Sequence, residues 1–296
     1  MSRAQPLIVF YNSMFGEWPA PACGQCQPTG RYSADPSLLN EADAIVFHLP
    51  TLGGAPDVPA GPLRVAWSLE SDITVPAMRD AEFMAQFGLS MTYRRDSSVW
   101  MPYVGPVSLP AMLAAPRPKT AAYPVCHFQS NWYDRSGRTA YVAELMKRVK
   151  IASYGTVLPT VPSPGEVRGR DARLAIMAQH KFTLAFENSV SYDYVSDKFF
   201  DALIAGSVPV YLGAPNVGDF APAPRSFINT ADFADPADLA CYLNHLDQHP
   251  AEYEEYLSWK RDGASQAFRA LLAEVPAHAY CRLAAAVAQF ERAPAC

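Results

Sequence analysis

No stretch of this chain approaches the roughly 20 continuous apolar residues that a membrane-spanning helix requires. The opening residues run into only Leu7-Ile8-Val9-Phe10, too short for the apolar core of a signal peptide. Positive charge is not in excess either. Twenty-four Lys and Arg stand against 29 Asp and Glu, a formal net charge of −5, which argues against a general nucleic-acid binder. A phosphorylated ligand must therefore rely on a few local cations. There is no internal repeat and no low-complexity block, although 27 prolines mark many turns. Six cysteines without a secretion signal imply thiols more than disulfides. Cys23-Gly24-Gln25-Cys26 has the spacing of half a zinc site, but no second pair stands at matching spacing, so no structural metal is expected.

What is present suits a chain with two cores. At 296 residues, half of them hydrophobic, two domains of ordinary size are the natural reading. Pro6 to Tyr11, Ala44 to His48 and Leu63 to Trp67 read as strands separated by long connections, which favours a parallel α/β sheet over a sandwich. The Pro- and Ala-rich segment from Pro106 to Pro124 reads as an interdomain linker. Beyond it, Tyr123 to Phe128 can open a second sheet, and Tyr141, Leu145 and Val149 have helical spacing, with Glu144 and Arg148 as an i, i+4 pair. Asp171 to Gln179 reads as a short helix, and Asp235-Pro236 as a helix start with Asp as N-cap. The expected division is residues 1–115, residues 116–275 and a helical tail, 276–296.

The richest segment runs from Lys181 to Asn216. Phe182 to Phe186 suits a buried strand, and a polar loop follows with Glu187, Asn188, Tyr192, Asp193 and Tyr194. Ser196 is a natural N-cap, Asp197 and Lys198 fall in the first helical turn, Gly206 can end the helix, and Val208 to Leu212 is a second strand. This is a βαβ unit, and a parallel sheet puts its ligands at the carboxyl ends of its strands beside helix N-termini. A sugar nucleotide would sit there.

The same segment resembles the donor-binding signature of the α1,3/α1,4-fucosyltransferases, inverting enzymes that use GDP-fucose. That signature has an F-E-N-S/T start, a Y-V-S/T-E-K centre and an A-G-x-V-P-V-x-x-G end. Here those parts are Phe186-Glu187-Asn188-Ser189, Tyr194-Val195-Ser196-Asp197-Lys198 and Ala205 to Gly213. Asp197 stands where the family has Glu, one methylene shorter. Leu89 to Ser97 is similar to the family's M-S/T-Y-R-R-D-S-D element, in which the arginines and Asp96 either form a local ion pair or touch substrate. The likeness extends from about Val65 to Trp259. It implies two Rossmann-like α/β domains facing a cleft (GT-B type), the first binding the acceptor and the second GDP-fucose. It also implies a soluble, bacterial-type, cytoplasmic enzyme without the membrane anchor of animal members.

The chemistry needs a base for the acceptor hydroxyl, and charge relief on departing GDP. The resemblance assigns the base to Glu70 in Glu70-Ser71, just past the third strand, with Asp72 as the second candidate. It assigns the diphosphate to Lys198 and to an arginine at the start of the helix after the second domain's first strand, either Arg138 or Arg135, with Arg138 preferred. A lysine in a first helical turn is unfavourable to the helix itself, which an anionic ligand explains. By the same likeness Asp197 bonds the donor ribose, Asn188 and Tyr194 contact sugar and phosphates, and Glu187 stands near the fucose, whereas Tyr192 reads as packing. No tightly bound cofactor and no catalytic metal are expected, since the protein's cations can replace a metal.

The expected reaction moves L-fucose from GDP-β-L-fucose to the 3-hydroxyl (or 4-hydroxyl) of a GlcNAc-containing glycan: LacNAc, Lewis-type or core chitobiose. Acceptor choice would lie in the loops Trp18 to Arg31 and Ile73 to Trp100. No nucleic acid is an expected partner, and any membrane association would be peripheral. Two other readings stand beside it: a non-catalytic GDP-sugar or glycan-binding protein, and a GT-B transferase using another GDP-sugar.

Overall fold

The computed structural model describes residues 5–19, 30–54, 56–162 and 169–290. Its strands are β1 (Leu7–Phe10), β2 (Arg31–Ser33), β3 (Ala44–His48), β4 (Leu63–Ser68), β5 (Leu89–Thr92), β6 (Val99–Trp100), β7 (Val125–Gln129), β8 (Ile151–Gly155), β9 (Phe182–Phe186), β10 (Val208–Leu212) and β11 (Ile228–Asn229). The α-helices are α1 (Ala81–Met84), α2 (Leu109–Leu113), α3 (Arg138–Leu145), α4 (Arg170–Met177), α5 (Asp197–Ala205), α6 (Pro236–Gln248), α7 (Pro250–Glu255), α8 (Trp259–Asp262), α9 (Gln266–Ala273) and α10 (Ala279–Phe290). Among the described residues no helix is long and apolar enough to cross a membrane.

The chain divides into two compact units, Met1–Pro102 with Val275–Cys296, and Tyr103–Glu274. In the first, the sheet order is β2-β1-β3-β4-β5-β6, and the named pairings are parallel. Strand alternation sends successive residues to opposite faces. Ile8, Phe10, Val46, Val65, Trp67 and Met91 share one core with Leu283, Ala284 and Val287 of α10. Leu7, Val9, Ile45, Phe47 and Ala66 share the other with Val75, Phe83 and Phe87.

In the second unit the order is β11-β10-β9-β7-β8, again parallel. Val142 and Leu145 of α3 and Leu239, Leu243 and Leu246 of α6 bury one face, with Val125, Phe182, Leu184 and Val210. Helix α5 packs on β9 and β10. Its ends fall where the sequence places them: Ser196 caps the start, and Gly206 closes it at φ 71°, the left-handed region a helix terminus favours. Asp235 likewise caps α6, accepting from the backbone of Ala237 and Asp238.

Four expectations need correction. The boundary lies at 102/103, not 115/116, because α2, inside the Pro-rich stretch read as a linker, packs against α5 and α8 with Met112 fully buried. The tail is no separate element: α10 supplies the apolar stripe that one face of the first sheet needs. Cys281 is disulfide-bonded, because pairing follows the proximity of two sulfurs, which composition does not report. Cys126 (buried) and Cys241 (exposed) are free, whereas Cys23, Cys26 and Cys296 lie outside the described residues, with most of the Trp18 to Arg31 loop. Glu144 pairs with Lys147 at 2.6 Å, not with Arg148, since α3 ends at Leu145.

Candidate functional site

In the second unit the chain passes from β7 to β8 on one side and then returns to place β9 on the other. The switch point of the sheet is therefore the carboxyl end of β7 and β9, where open parallel sheets bind ligands. The two loops leaving it are tied together. Arg135 N donates to Asn188 O at 2.7 Å, and Ser136 Oγ to Glu187 O at 2.6 Å. The structure thus gathers Arg138, Glu187, Asn188, Ser196 and Lys198 at one place.

Glu187 is fully buried directly after β9. Its Oε1 accepts from Ser196 N at 2.8 Å; its Oε2 accepts from Ser196 Oγ at 2.8 Å and from Lys198 Nζ at 3.0 Å. Lys198 Nζ also donates to Ser196 Oγ at 2.9 Å, and its side chain remains about one-third exposed, at 31%. A buried carboxylate is stable only when its lone pairs are taken up in this way. The geometry makes Glu187 the clamp that sets the start of α5 and aims Lys198. The likeness had placed it near the sugar, but both its oxygens are engaged inside the chain. Gly213, at the end of the neighbouring β10, leaves room for it: a Cβ there would stand 2.6 Å from Glu187 Cγ.

Arg138 is the first residue of α3 and is 3% exposed. Its Nη1 donates to Phe186 O at 3.0 Å, and its Nη2 reaches Asn131 O and Tyr133 O at 3.4 and 3.3 Å. Its Nε is buried without a hydrogen-bond partner among the described residues. Burial lowers its pKa, against the opposing fields of Asp134 and Glu187. The N–H groups at the start of α3 are already occupied by Asp134. Its Oδ1 accepts from Gly137 N at 2.8 Å and Arg138 N at 3.2 Å, and its Oδ2 from Thr139 N at 2.9 Å. Burial pushes the Asp134 carboxyl up, but these donors outweigh it and hold it below its ordinary value. The first backbone N–H groups of this helix are therefore not free to meet an anion. Arg135 is exposed and lies over the Tyr133 ring, 5.7 Å from its centroid.

Asp197 opens α5, and its Oδ2 accepts from Arg173 Nη2 at 2.8 Å. The same nitrogen donates to Asp201 Oδ2 at 2.6 Å, while Arg170 Nε reaches Asp201 Oδ1 at 2.8 Å. Asp201 is fully buried, so two arginines neutralise it and one of them fixes Asp197. The sequence reading missed this network because its members lie on two helices far apart in the chain. The tyrosines are reversed: Tyr192 is 54% exposed and Tyr194 is buried against Tyr103. Asp193 between them has φ 64°, held by Asn216, whose Oδ1 accepts from Asp193 N and whose Nδ2 donates to Asp193 Oδ1, both at 2.9 Å. One left-handed residue turns the two rings apart. Asn188 is buried and accepts from Ser189 Oγ at 3.1 Å.

Glu70 belongs to the first unit, half-buried just past β4, where Ser68 Oγ donates to its carbonyl at 2.9 Å. The second candidate base, Asp72, is committed to Arg79 at 2.9 Å and to the Tyr93 hydroxyl at 3.2 Å. Arg94 and Asp96 form a two-bond fork at 3.0 and 2.8 Å. The switch point of this sheet lies between β1 and β3, adjacent to β4. Asn12, His48 and Thr51 interlock there: Asn12 Nδ2 donates to Thr51 Oγ1 and His48 Nδ1 meets the same oxygen, both at 2.8 Å. Exposed Phe15 stands edge-on to His48 at 5.0 Å. The sequence reading passed over this cluster, although polar residues following two apolar strands were its visible sign.

Family models match both parts of the chain: "Fucosyltransferase, N-terminal" over residues 3–104 and "Glycosyltransferase family 10 (fucosyltransferase) C-term" over residues 117–295. A similar curated protein is the 4-galactosyl-N-acetylglucosaminide 3-alpha-L-fucosyltransferase 9 of Rattus norvegicus, 32% identical over 240 residues, which are 78% of this chain and 64% of that protein. The GDP-fucose protein O-fucosyltransferase 3 of Gallus gallus is 40% identical over 145 residues, 47% of this chain and 30% of that one. The chain thus spans less than two thirds of the length of these relatives. An alpha1,3-fucosyltransferase solved with GDP-fucose shares the fold at TM-score 0.60 and 17% identity, over 91% of this chain and 88% of its own. The architecture of two parallel α/β units is that of the GT-B type.

Proposed function

Since the chain belongs to glycosyltransferase family 10, the fucosyltransferases, we propose that it transfers L-fucose from GDP-β-L-fucose to a GlcNAc 3-hydroxyl (or 4-hydroxyl) in one inverting displacement. The observation that carries this reading is the buried Glu187 clamp, which holds Lys198 at the switch point of the second sheet near the partly unpartnered Arg138 guanidinium. In the displacement the acceptor oxygen bonds to the fucose anomeric carbon and the bond from that carbon to the GDP oxygen breaks. Glu70 takes the hydroxyl proton. Lys198 and Arg138 stabilise the charge that develops on departing GDP, where fixed cations are worth most. Asp197 receives the ribose hydroxyl through the oxygen that Arg173 leaves to it, and Asn188 supports the loop beside the phosphates. With two protein cations in place, no divalent ion is required for this step.

The rat relative's name supports a 4-galactosyl-N-acetylglucosaminide acceptor, and the chicken relative's name makes a protein hydroxyl the alternative to include. A cytoplasmic location is part of the reading taken from sequence. The disulfide at Cys281 favours an oxidising compartment instead, and a thiol count on protein from its native source decides between them. Donor binding is tested by calorimetry with GDP-fucose, GDP-mannose and GDP in EDTA. Tight binding of GDP-fucose and GDP, weakened about tenfold or more in Lys198→Met, supports the assignment. Preference for GDP-mannose would make it a transferase of another sugar, and absence of binding would remove the donor assignment.

A further inference from the structure

His245, His249 and Glu252 lie across the junction of α6 and α7 and bring two imidazole nitrogens and a carboxylate oxygen within 4.8 Å of one another. The two histidines are i and i+4, one helical turn apart, and share a face. Their rings stack with centroids 3.9 Å apart and planes 20° apart. His249 Nδ1 lies 2.7 Å from the His245 carbonyl oxygen. A carbonyl only accepts, so Nδ1 carries the proton and Nε2 keeps its lone pair. Metal-binding histidines are commonly held in this way, with the second ring nitrogen donating to a backbone carbonyl. His245 Nε2 donates to Glu252 Oε2 at 3.0 Å, and an incoming ion displaces that proton and takes both atoms. That separation is close to the edge of about 3.3 Å between two ligands of a tetrahedral zinc ion. All three residues are exposed, so an ion reaches them without opening the fold and water completes its shell.

We propose that His245, His249 and Glu252 form a surface site for a first-row divalent transition ion of the zinc type. Two imidazoles and one carboxylate suit zinc, nickel or copper far better than magnesium or calcium, which take oxygen ligands. The site is separate from the donor site. Lys181, directly before β9, donates to Asp247 O at 2.7 Å and accepts at its carbonyl from Tyr253 OH at 3.2 Å. The α6–α7 junction therefore lies at the amino end of β9, the end opposite Glu187. An ion there pins two helices together and takes no part in transfer, so this inference stands apart from the catalytic reading. The sequence shows the pattern His-x3-His-x2-Glu plainly, but a search confined to cysteine pairs overlooks it.

The test is calorimetric titration of zinc alone into untagged, EDTA-stripped full chain, paired with the visible spectrum of the cobalt-loaded protein. One zinc per chain is expected, with His245→Ala and His249→Ala each binding at least about tenfold more weakly. His278→Ala, another exposed histidine, should bind as the wild type does. Zinc should raise the Tm of the wild type by a few degrees and leave that of His249→Ala unchanged. Equal zinc affinity in the wild type and both histidine variants would place the ion elsewhere, thiols included, and overturn the proposal. So would the absence of both heat and a tetrahedral cobalt band at millimolar metal. Unchanged metal-free Tm values in the variants confirm that they fold.

Discussion

Arg173 shows how much one side chain organises. It joins the buried anion Asp201 to the half-exposed Asp197, so that Asp197 is held by a neighbour. Arg173→Lys keeps the charge but, being shorter, ends short of the position from which Nη2 bonds both carboxylates. The expected result is a GDP-fucose KM raised roughly three- to tenfold, with kcat and acceptor KM unchanged. Equal loss in all three would make the residue merely structural. Glu187→Gln removes the charge opposite Lys198 and leaves a partly buried cation short of its partner. Stability should fall by about 2 kcal/mol in urea denaturation and kcat/KM by roughly 10- to 100-fold. Wild-type kcat/KM in that variant would contradict its clamping role. In the first unit, Phe15→Ala removes an exposed ring beside the switch point and should raise the acceptor KM without changing that for GDP-fucose. A KM shift for the donor alone would count against an acceptor role for that loop.

At the scale of elements, α5 is held by its ends. Gly206 closes it at φ 71°, and a Cβ there would stand 3.0 Å from Pro116 Cβ. Gly206→Ala should cost about 1–2 kcal/mol in chemical denaturation, since both the backbone conformation and the space resist it. The buried Lys260 donates to Leu203 O at 2.8 Å and to Met112 O, so it satisfies carbonyls at the ends of both α5 and α2. Lys260→Met should destabilise by about 2 kcal/mol through carbonyls left unpaired, and an unchanged denaturation midpoint would remove that capping role.

The βαβ unit around α5 was legible because each signal agreed: a five-residue apolar run, a serine N-cap, a terminal glycine and a second apolar run. Strands β2, β5, β6, β8 and β11 were not. Two, β6 and β11, have only two residues, and β2 and β5 carry half-buried faces, so tertiary pairing rather than local preference makes them. The site was legible in its residue types and not in its contacts. Nothing in the order of residues says that Glu187 turns inward to Lys198, or that Asp193 reverses Tyr192 against Tyr194.

Across the whole molecule, each unit carries a buried histidine that stays neutral. His48 in the first and His127 in the second are both pushed down to about 4, chiefly by burial; a hydrogen bond opposes the shift in each, and the nearby Arg138 charge adds to it at His127. Both lie below the unfolded value of about 6.5, so below that pH the unfolded chain binds protons that the folded chain refuses. Stability should be complete at neutral pH, begin to fall near pH 6.5 and continue falling to about pH 4, by up to about 3 kcal/mol per histidine. Denaturation midpoints at pH 7.5, 6 and 5 test this. A flat profile from 7.5 to 5 would contradict it, because most carboxylates titrate lower.

We propose fucosyl transfer with Glu70 as base. Its most direct test is product mass with GDP-fucose against LacNAc, lacto-N-biose, chitobiose-containing and peptide acceptors, in EDTA, for wild type and Glu70→Gln. The expected result is a gain of one fucose on a GlcNAc-containing acceptor, slowed roughly 10²- to 10⁴-fold in the variant. Full activity in Glu70→Gln would contradict the assignment of the base, and GDP-fucose binding with no transfer to any acceptor in the panel would contradict the claim of catalysis.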